Sequence, residues 1–257
     1  MENPIRQALA RGELVLGMMH FTGRPMIVEV MARGGLDFTI VDMEHSPTDL
    51  GLTAHLIRAA DAAGITPLVR VPDVDPGLIK KVLNLGARGI VIPHATRAAC
   101  EAAVQAVRFA PDGERGACPA IRAAGYAPPD WAEFANQANR ETLVIPLLED
   151  TETLGDLEKI VALPGVDILF LGPFDFAISA GVPNAGFDHP LIAAALDRVV
   201  ALARSHGKYV MTSVGEKIST EYARAITRRG VQMISFSADA LVFLKACREI
   251  AALKSPA

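Results

Sequence analysis

Eight short apolar runs alternate with amphipathic stretches along almost the whole chain, and this alternation limits the fold more than any other feature. The runs span residues 14–19, 37–43, 66–71, 89–93, 143–148, 167–171, 209–213 and 232–236. Between them, residues 52–63, 76–85, 96–109, 153–161, 190–205, 216–229 and 238–251 carry apolar side chains at three- and four-residue spacing, the period of a helix. Gly34, Gly64, Gly86, Gly207 and Gly230 stand where helical patterns stop. Repeated strand-then-helix units imply parallel strands with right-handed crossovers. Eight of them predict an α/β fold, a closed (β/α)8 TIM barrel. The 257 residues suit one such barrel, expected as a single domain over residues 1–257. Only 5% of residues are aromatic, so aliphatic side chains must fill strands buried on both faces. The irregular stretch 111–140 is expected to form a loop over the barrel mouth plus one helix.

A formal charge of −4, without a basic block, gives no attraction for nucleic acid or anionic lipid, and neither partner is expected. Cys100, Cys118 and Cys247 are odd in number and widely spaced, which argues against structural zinc and a disulfide framework. The first residues lack the apolar core of a signal peptide, and no apolar run reaches the roughly 18 residues of a membrane span. A cytoplasmic protein is expected.

In parallel barrels the chemistry sits at the C-terminal ends of the strands, so the polar residues there are the candidates. The fifth strand runs into Glu149, and the sixth ends Gly172-Pro173-Phe174-Asp175. Two carboxylates at one mouth are hard oxygen ligands for a magnesium-like ion. Alternatively each caps the helix that follows, although Asp150 or Thr151 can do that beside Glu149. The second strand ends Asp42-Met43-Glu44-His45-Ser46-Pro47. There Asp42 and His45 form a candidate acid–base pair, the carboxylate orienting the imidazole, and Glu44 is either an assisting group or a surface acid. Arg70 closes an otherwise apolar strand and needs an anion: a substrate carboxylate or enolate oxygen, or an internal pair with Asp42 or Glu44. No lysine stands at a strand end for a Schiff base, and no nucleotide-binding glycine motif, GxSxG elbow or HExxH is present.

Together these segments resemble the HpcH/HpaI family of class II pyruvate aldolases. The likeness runs through Val41-Asp42-Met43-Glu44-His45-Ser46-Pro47, Val69-Arg70-Val71-Pro72, the residues 86–93, Arg115-Gly116, Leu148-Glu149 and Gly172-Pro173-Phe174-Asp175. The resemblance implies Mg²⁺, Mn²⁺ or Co²⁺ on Glu149 and Asp175, and a keto acid held near Gly172 and Pro173. It implies His45, oriented by Asp42, as the acid–base group, and Arg70 steadying the enolate. It further implies a C-terminal helix exchanged with a neighbouring subunit in a homo-hexamer, a trimer of dimers. The activity so implied is cleavage of a 4-hydroxy-2-oxo acid to pyruvate or a related 2-oxo acid and an aldehyde. Two other outcomes are open: decarboxylation of an oxaloacetate-type diacid, or keto-acid binding without turnover. The chain departs from the family at Leu147, where glutamine is common, and at Phe174, where a small residue is usual. Both are expected to line the substrate pocket and make it more apolar. His20 and His94 are unusual too, either as extra groups at the rim or as packing variation.

Overall fold

The computed structural model describes residues 2–215 and 219–254. Helix α1 (Pro4–Ala10) precedes strand β1 (Val15–His20). Then follow α2 (Pro25–Arg33), β2 (Phe38–Asp42), α3 (Leu50–Ala63), β3 (Thr66–Arg70), α4 (Pro76–Leu85), β4 (Gly89–Ile92) and α5 (Arg97–Val107). After a 3₁₀ turn (Arg122–Ala124) come α6 (Trp131–Glu141), β5 (Leu143–Leu148), α7 (Thr151–Gly155), α8 (Leu157–Val161) and β6 (Ile168–Leu171). The chain continues through α9 (Pro173–Ser179), α10 (Pro190–Ser205), β7 (Tyr209–Ser213), α11 (Thr220–Arg228), β8 (Met233–Ala238) and α12 (Asp239–Ala251). Strands β1 to β8 pair in parallel, in chain order, and β8 closes on β1. The expected closed (β/α)8 barrel is the observed one.

Alternate strand residues face opposite ways, which divides the core in two. Phe38, Ile40, Leu68, Val91, Ile145 and Met211 fill the barrel interior. Their neighbours Val41, Val69, Ile90 and Val144 point outward against the helices, as Leu148, Leu171 and Ile234 do on the far side. Gly17 is paired with Phe38, and a Cβ built at Gly17 would lie 2.5 Å from two carbons of the Phe38 ring. That aromatic ring therefore occupies the space a β1 side chain would take. Gly17→Ala is expected to destabilise the barrel by about 1–3 kcal/mol or more through overpacking, measurable by chemical denaturation.

Several expectations change. Residues 153–161 form two short helices, because Gly155 is a weak helix former and Asp156 ends one helix while beginning the next. Strand β8 runs to Ala238 through an irregularity in its pairing with β1, with Ser237 at φ 52°. Helices α1, α2 and α9, of which the sequence marks only the end of α2 at Gly34, each begin on proline, a favoured first helical residue. The helix expected from residue 216 begins at Thr220, capped by Ser219; Glu216, Lys217 and Ile218 lie outside the described residues.

The stretch 111–140 does not cover the mouth. Helix α5 runs back to the N-terminal ends of the strands, and this stretch joins it to the start of β5 at that same end. Accordingly Arg122 hydrogen-bonds the Leu85 carbonyl and pairs with Asp61, both where α3 and α4 finish. At the C-terminus, Asp239 is the one buried residue of α12, whereas Phe243 and Ile250 are about 70% exposed. No described helix is long and apolar enough to cross a membrane.

Candidate active site

The C-terminal end of β2 is held by its own acid. Asp42 is fully buried and accepts the backbone N–H of Glu44 at 3.1 Å and of His45 at 3.0 Å. This local turn directs the next side chains out of the strand. Asp42 also accepts Arg70 Nε–H at 2.7 Å from the neighbouring strand end. Arg70 Nη1 lies 3.0 Å from Glu44 Oε2. The arginine is thus clamped between two carboxylates and is only 6% exposed. A guanidinium has five N–H donors, and these contacts leave Nη2 without a protein partner among the described residues.

The expected orientation of His45 by Asp42 is corrected here. Asp42 meets the backbone amide of His45, not its ring. The His45 imidazole is exposed, and its Nε2 lies 3.6 Å from Glu44 Oε2. Glu44 therefore lies between Arg70 and His45: the internal pair open to Arg70 forms with both Asp42 and Glu44, and the turn adds the contact of Glu44 with the His45 ring.

At the end of β5, Glu149 is 4% exposed and its Oε1 accepts the His94 N–H at 2.7 Å. The helix that follows is capped by Asp150, whose side chain and that of Thr153 form a capping box. Glu149 is thereby released from capping. Burial pushes its pKa up, and the like charges of Glu44 and Asp175 push the same way; the His94 amide and ring pull it down. A carboxylate in that condition is short of positive charge. Asp175 stands exposed in the first turn of α9 without a capping hydrogen bond.

Gly172 sits against both neighbours: a Cβ there would come within 3.0 Å of Leu147 and 3.2 Å of Glu149. Leu147 is buried in the barrel interior. The Gly172 N–H already donates to the Leu148 carbonyl at 3.0 Å, and Pro173 has none. The amides able to meet a ligand here are those of Phe174 and Asp175, which a helix start leaves without intrahelical acceptors. The Phe174 side chain is 63% exposed.

The two unusual histidines separate. His94 has φ 44° and an exposed ring whose Nδ1 lies 3.5 Å from Glu149 and 3.6 Å from Asp150. A left-handed conformation at a non-glycine residue is strained, and here it aims the amide at Glu149. His20 is fully buried, with Nδ1 3.1 Å from Asp239. Burial alone would raise the Asp239 pKa, but His20, the Thr22 hydroxyl and the Phe21 amide outweigh it and bring it down to about 2. His20 therefore anchors the start of α12.

Among the described residues no three His, Cys, Asp or Glu side chains converge as a ready metal cage. Glu149 and Asp175 are two oxygen donors, which suits an ion that keeps its other positions for water and substrate.

A family model described as HpcH/HpaI aldolase/citrate lyase matches residues 17–246. The chain is 34% identical over 256 residues to a hydroxypyruvate/pyruvate aldolase of Paraburkholderia phytofirmans, covering 96% of this chain and 95% of that one. It is 32% identical over 246 residues to a 2-dehydro-3,6-dideoxy-6-sulfogluconate aldolase of Pseudomonas putida, covering 92% and 95%. A crystal structure of an HpcH/HpaI aldolase/citrate lyase family protein from Burkholderia cenocepacia superimposes with a TM-score of 0.88 at 34% identity, covering 98% and 100%.

Proposed function

The chain belongs to the HpcH/HpaI aldolase/citrate lyase family, and from that premise we propose that it is a divalent-metal-dependent class II aldolase. In this reading it reversibly cleaves a 4-hydroxy-2-oxo acid into pyruvate, or a related 2-oxo acid, and an aldehyde. The observation that carries the proposal is Glu149: a buried carboxylate, raised in pKa, with Glu44 and Asp175 adding negative charge around it. Glu149 and Asp175 would hold Mg²⁺, Mn²⁺ or Co²⁺, whose charge would polarise the 2-oxo group of the substrate.

The chain's own groups supply the rest. Without a side chain, the Gly172 backbone packs directly against Leu147 and Glu149, and the first amides of α9 point donors toward a carboxylate placed beside Glu149. Arg70, fixed by Asp42 and Glu44, offers its remaining N–H groups to the oxygen on which negative charge develops, and being immobilised beforehand it needs no reorganisation. His45, exposed and beside Glu44, moves the proton between the 4-hydroxyl and solvent. Leu147 and Phe174 give the substrate apolar walls and no hydrogen bond. We further propose that α12 exchanges with a neighbouring subunit in a cytoplasmic homo-hexamer; its exposed Phe243 and Ile250 support that reading.

The test is cleavage of racemic 4-hydroxy-2-oxo acids, followed as pyruvate release with Mg²⁺ or Mn²⁺ and after chelation. Activity is expected with metal only, and His45→Ala is expected to lower kcat by about 10²–10⁴. Full activity in that variant would remove His45 from proton transfer.

A further inference from the structure

A cavity lies at the end of the barrel opposite the mouth. It is lined by the ends of α3 and α4, the residues entering β4 and β5, the stretch after α5, and helix α6. Its volume is about 330 Å³, within the range of small-ligand sites. Strand β5 separates Thr142, in this cavity, from Glu149 at the mouth, roughly 20 Å at the rise of a strand.

Three guanidinium groups line the cavity. Arg122 is answered by Asp61 at 2.6 Å and by the Leu85 carbonyl at 2.9 Å. Arg88 feels the opposite charges of Asp61 and Glu141. Arg115 differs from both. It is 6% exposed, Nη2 donates to the neutral Asn84 amide oxygen at 3.0 Å, and its guanidinium sits 4.4 Å from the Phe109 ring centre. Its Nε has no hydrogen-bond partner among the described residues, and no described carboxylate lies within 4 Å. Burial brings its pKa down to about 10, and the like charge of Arg108 acts in the same direction. A buried cation lacking a counter-charge is unfavourable, and the adjoining cavity has room for one.

We propose that this cavity binds a small metabolite through a carboxylate or phosphate group, with Arg115 as its principal counter-charge. Arg88 and Arg122 flank the anion, and Tyr126 and Phe134 border the body of the ligand. The site is independent of the mouth and does not rest on the reaction proposed there.

Calorimetric titration of the metal-loaded protein with inorganic phosphate, and separately with succinate, at ionic strength fixed with chloride, tests the proposal. Saturable binding of one anion per chain is expected; phosphate alone would mark a phosphoryl ligand, succinate alone a carboxylate. Arg115→Met keeps an apolar stem over Phe109 and is expected to weaken binding about ten- to hundredfold, the loss of one charge-assisted contact. Ala138→Phe fills the cavity without altering a charge and is expected to abolish binding. Asp175→Ala, at the mouth, is expected to leave it unchanged. No saturable binding of either anion, undiminished binding in Ala138→Phe, or loss of binding in Asp175→Ala overturns the proposal.

Discussion

Arg70→Ala is expected to cost about 3–5 kcal/mol of folding stability and to leave no measurable turnover. Asp42 and Glu44 both depend on this guanidinium, and Asp42 is fully buried. Removing it strands two negative charges near the already unfavourable Glu149. Arg70→Lys separates structure from chemistry. A lysine restores one positive charge and much of the stability, but an ammonium cannot reach Asp42, Glu44 and a substrate oxygen as the planar fork does. The expected result is a folded protein, by thermal melt and circular dichroism, whose kcat/KM stays far below wild type. Wild-type kinetics in the lysine variant would make Arg70 purely structural.

Glu149→Gln is expected to act in opposite directions on stability and activity. The folded protein holds the Glu149 proton more tightly than the unfolded chain does, because burial and the charges of Glu44 and Asp175 oppose ionisation. Between the unfolded pKa and the raised folded value the native state therefore binds more protons, and stability falls as pH rises through that window. At neutral pH and above the destabilisation is in force. Glutamine removes it, so the metal-free variant is expected to melt a few degrees higher than wild type at pH 8 and to lose that advantage at pH 4. The same change removes an anionic ligand, so added Mg²⁺ or Mn²⁺ should raise the wild-type melting temperature and leave the variant's unchanged. A variant that melts lower than the wild type at pH 8 would show that Glu149 is ionised without strain.

The barrel was legible because its strands are aliphatic runs cut short by Gly, Pro or an acid, as at Ile168–Leu171 before Gly172-Pro173. The positions of Glu149, Asp175, Asp42 and Arg70 followed from one rule about strand ends. The pairing of Arg70 with Asp42 and Glu44 was one of the two readings its place in an apolar strand offered; the partners of His45 and Glu149 were not legible, because they depend on turn geometry. Asp42 and His45, three residues apart, suggest a side-chain pair, but the turn brings the His45 amide to the carboxylate and leaves the ring to Glu44. His94 has no sequence signal of strain, since its positive φ exists to direct an amide at Glu149. Helix α2 shows only its end in the sequence, at Gly34, because Met26 and Val30 lie exposed and blur its amphipathic pattern. The stretch after α5 carries no signal of its place, because its composition says loop without saying at which end of the barrel.

The most direct test of the proposed chemistry is solvent deuterium exchange into the pyruvate methyl group, followed by NMR with Mg²⁺ or Mn²⁺ and again after chelation. Exchange that requires metal, and that falls sharply in Asp175→Ala and Arg70→Lys, is the predicted result. Exchange that persists unchanged after chelation, or none with either ion, would contradict a metal-dependent enolate of pyruvate at this mouth.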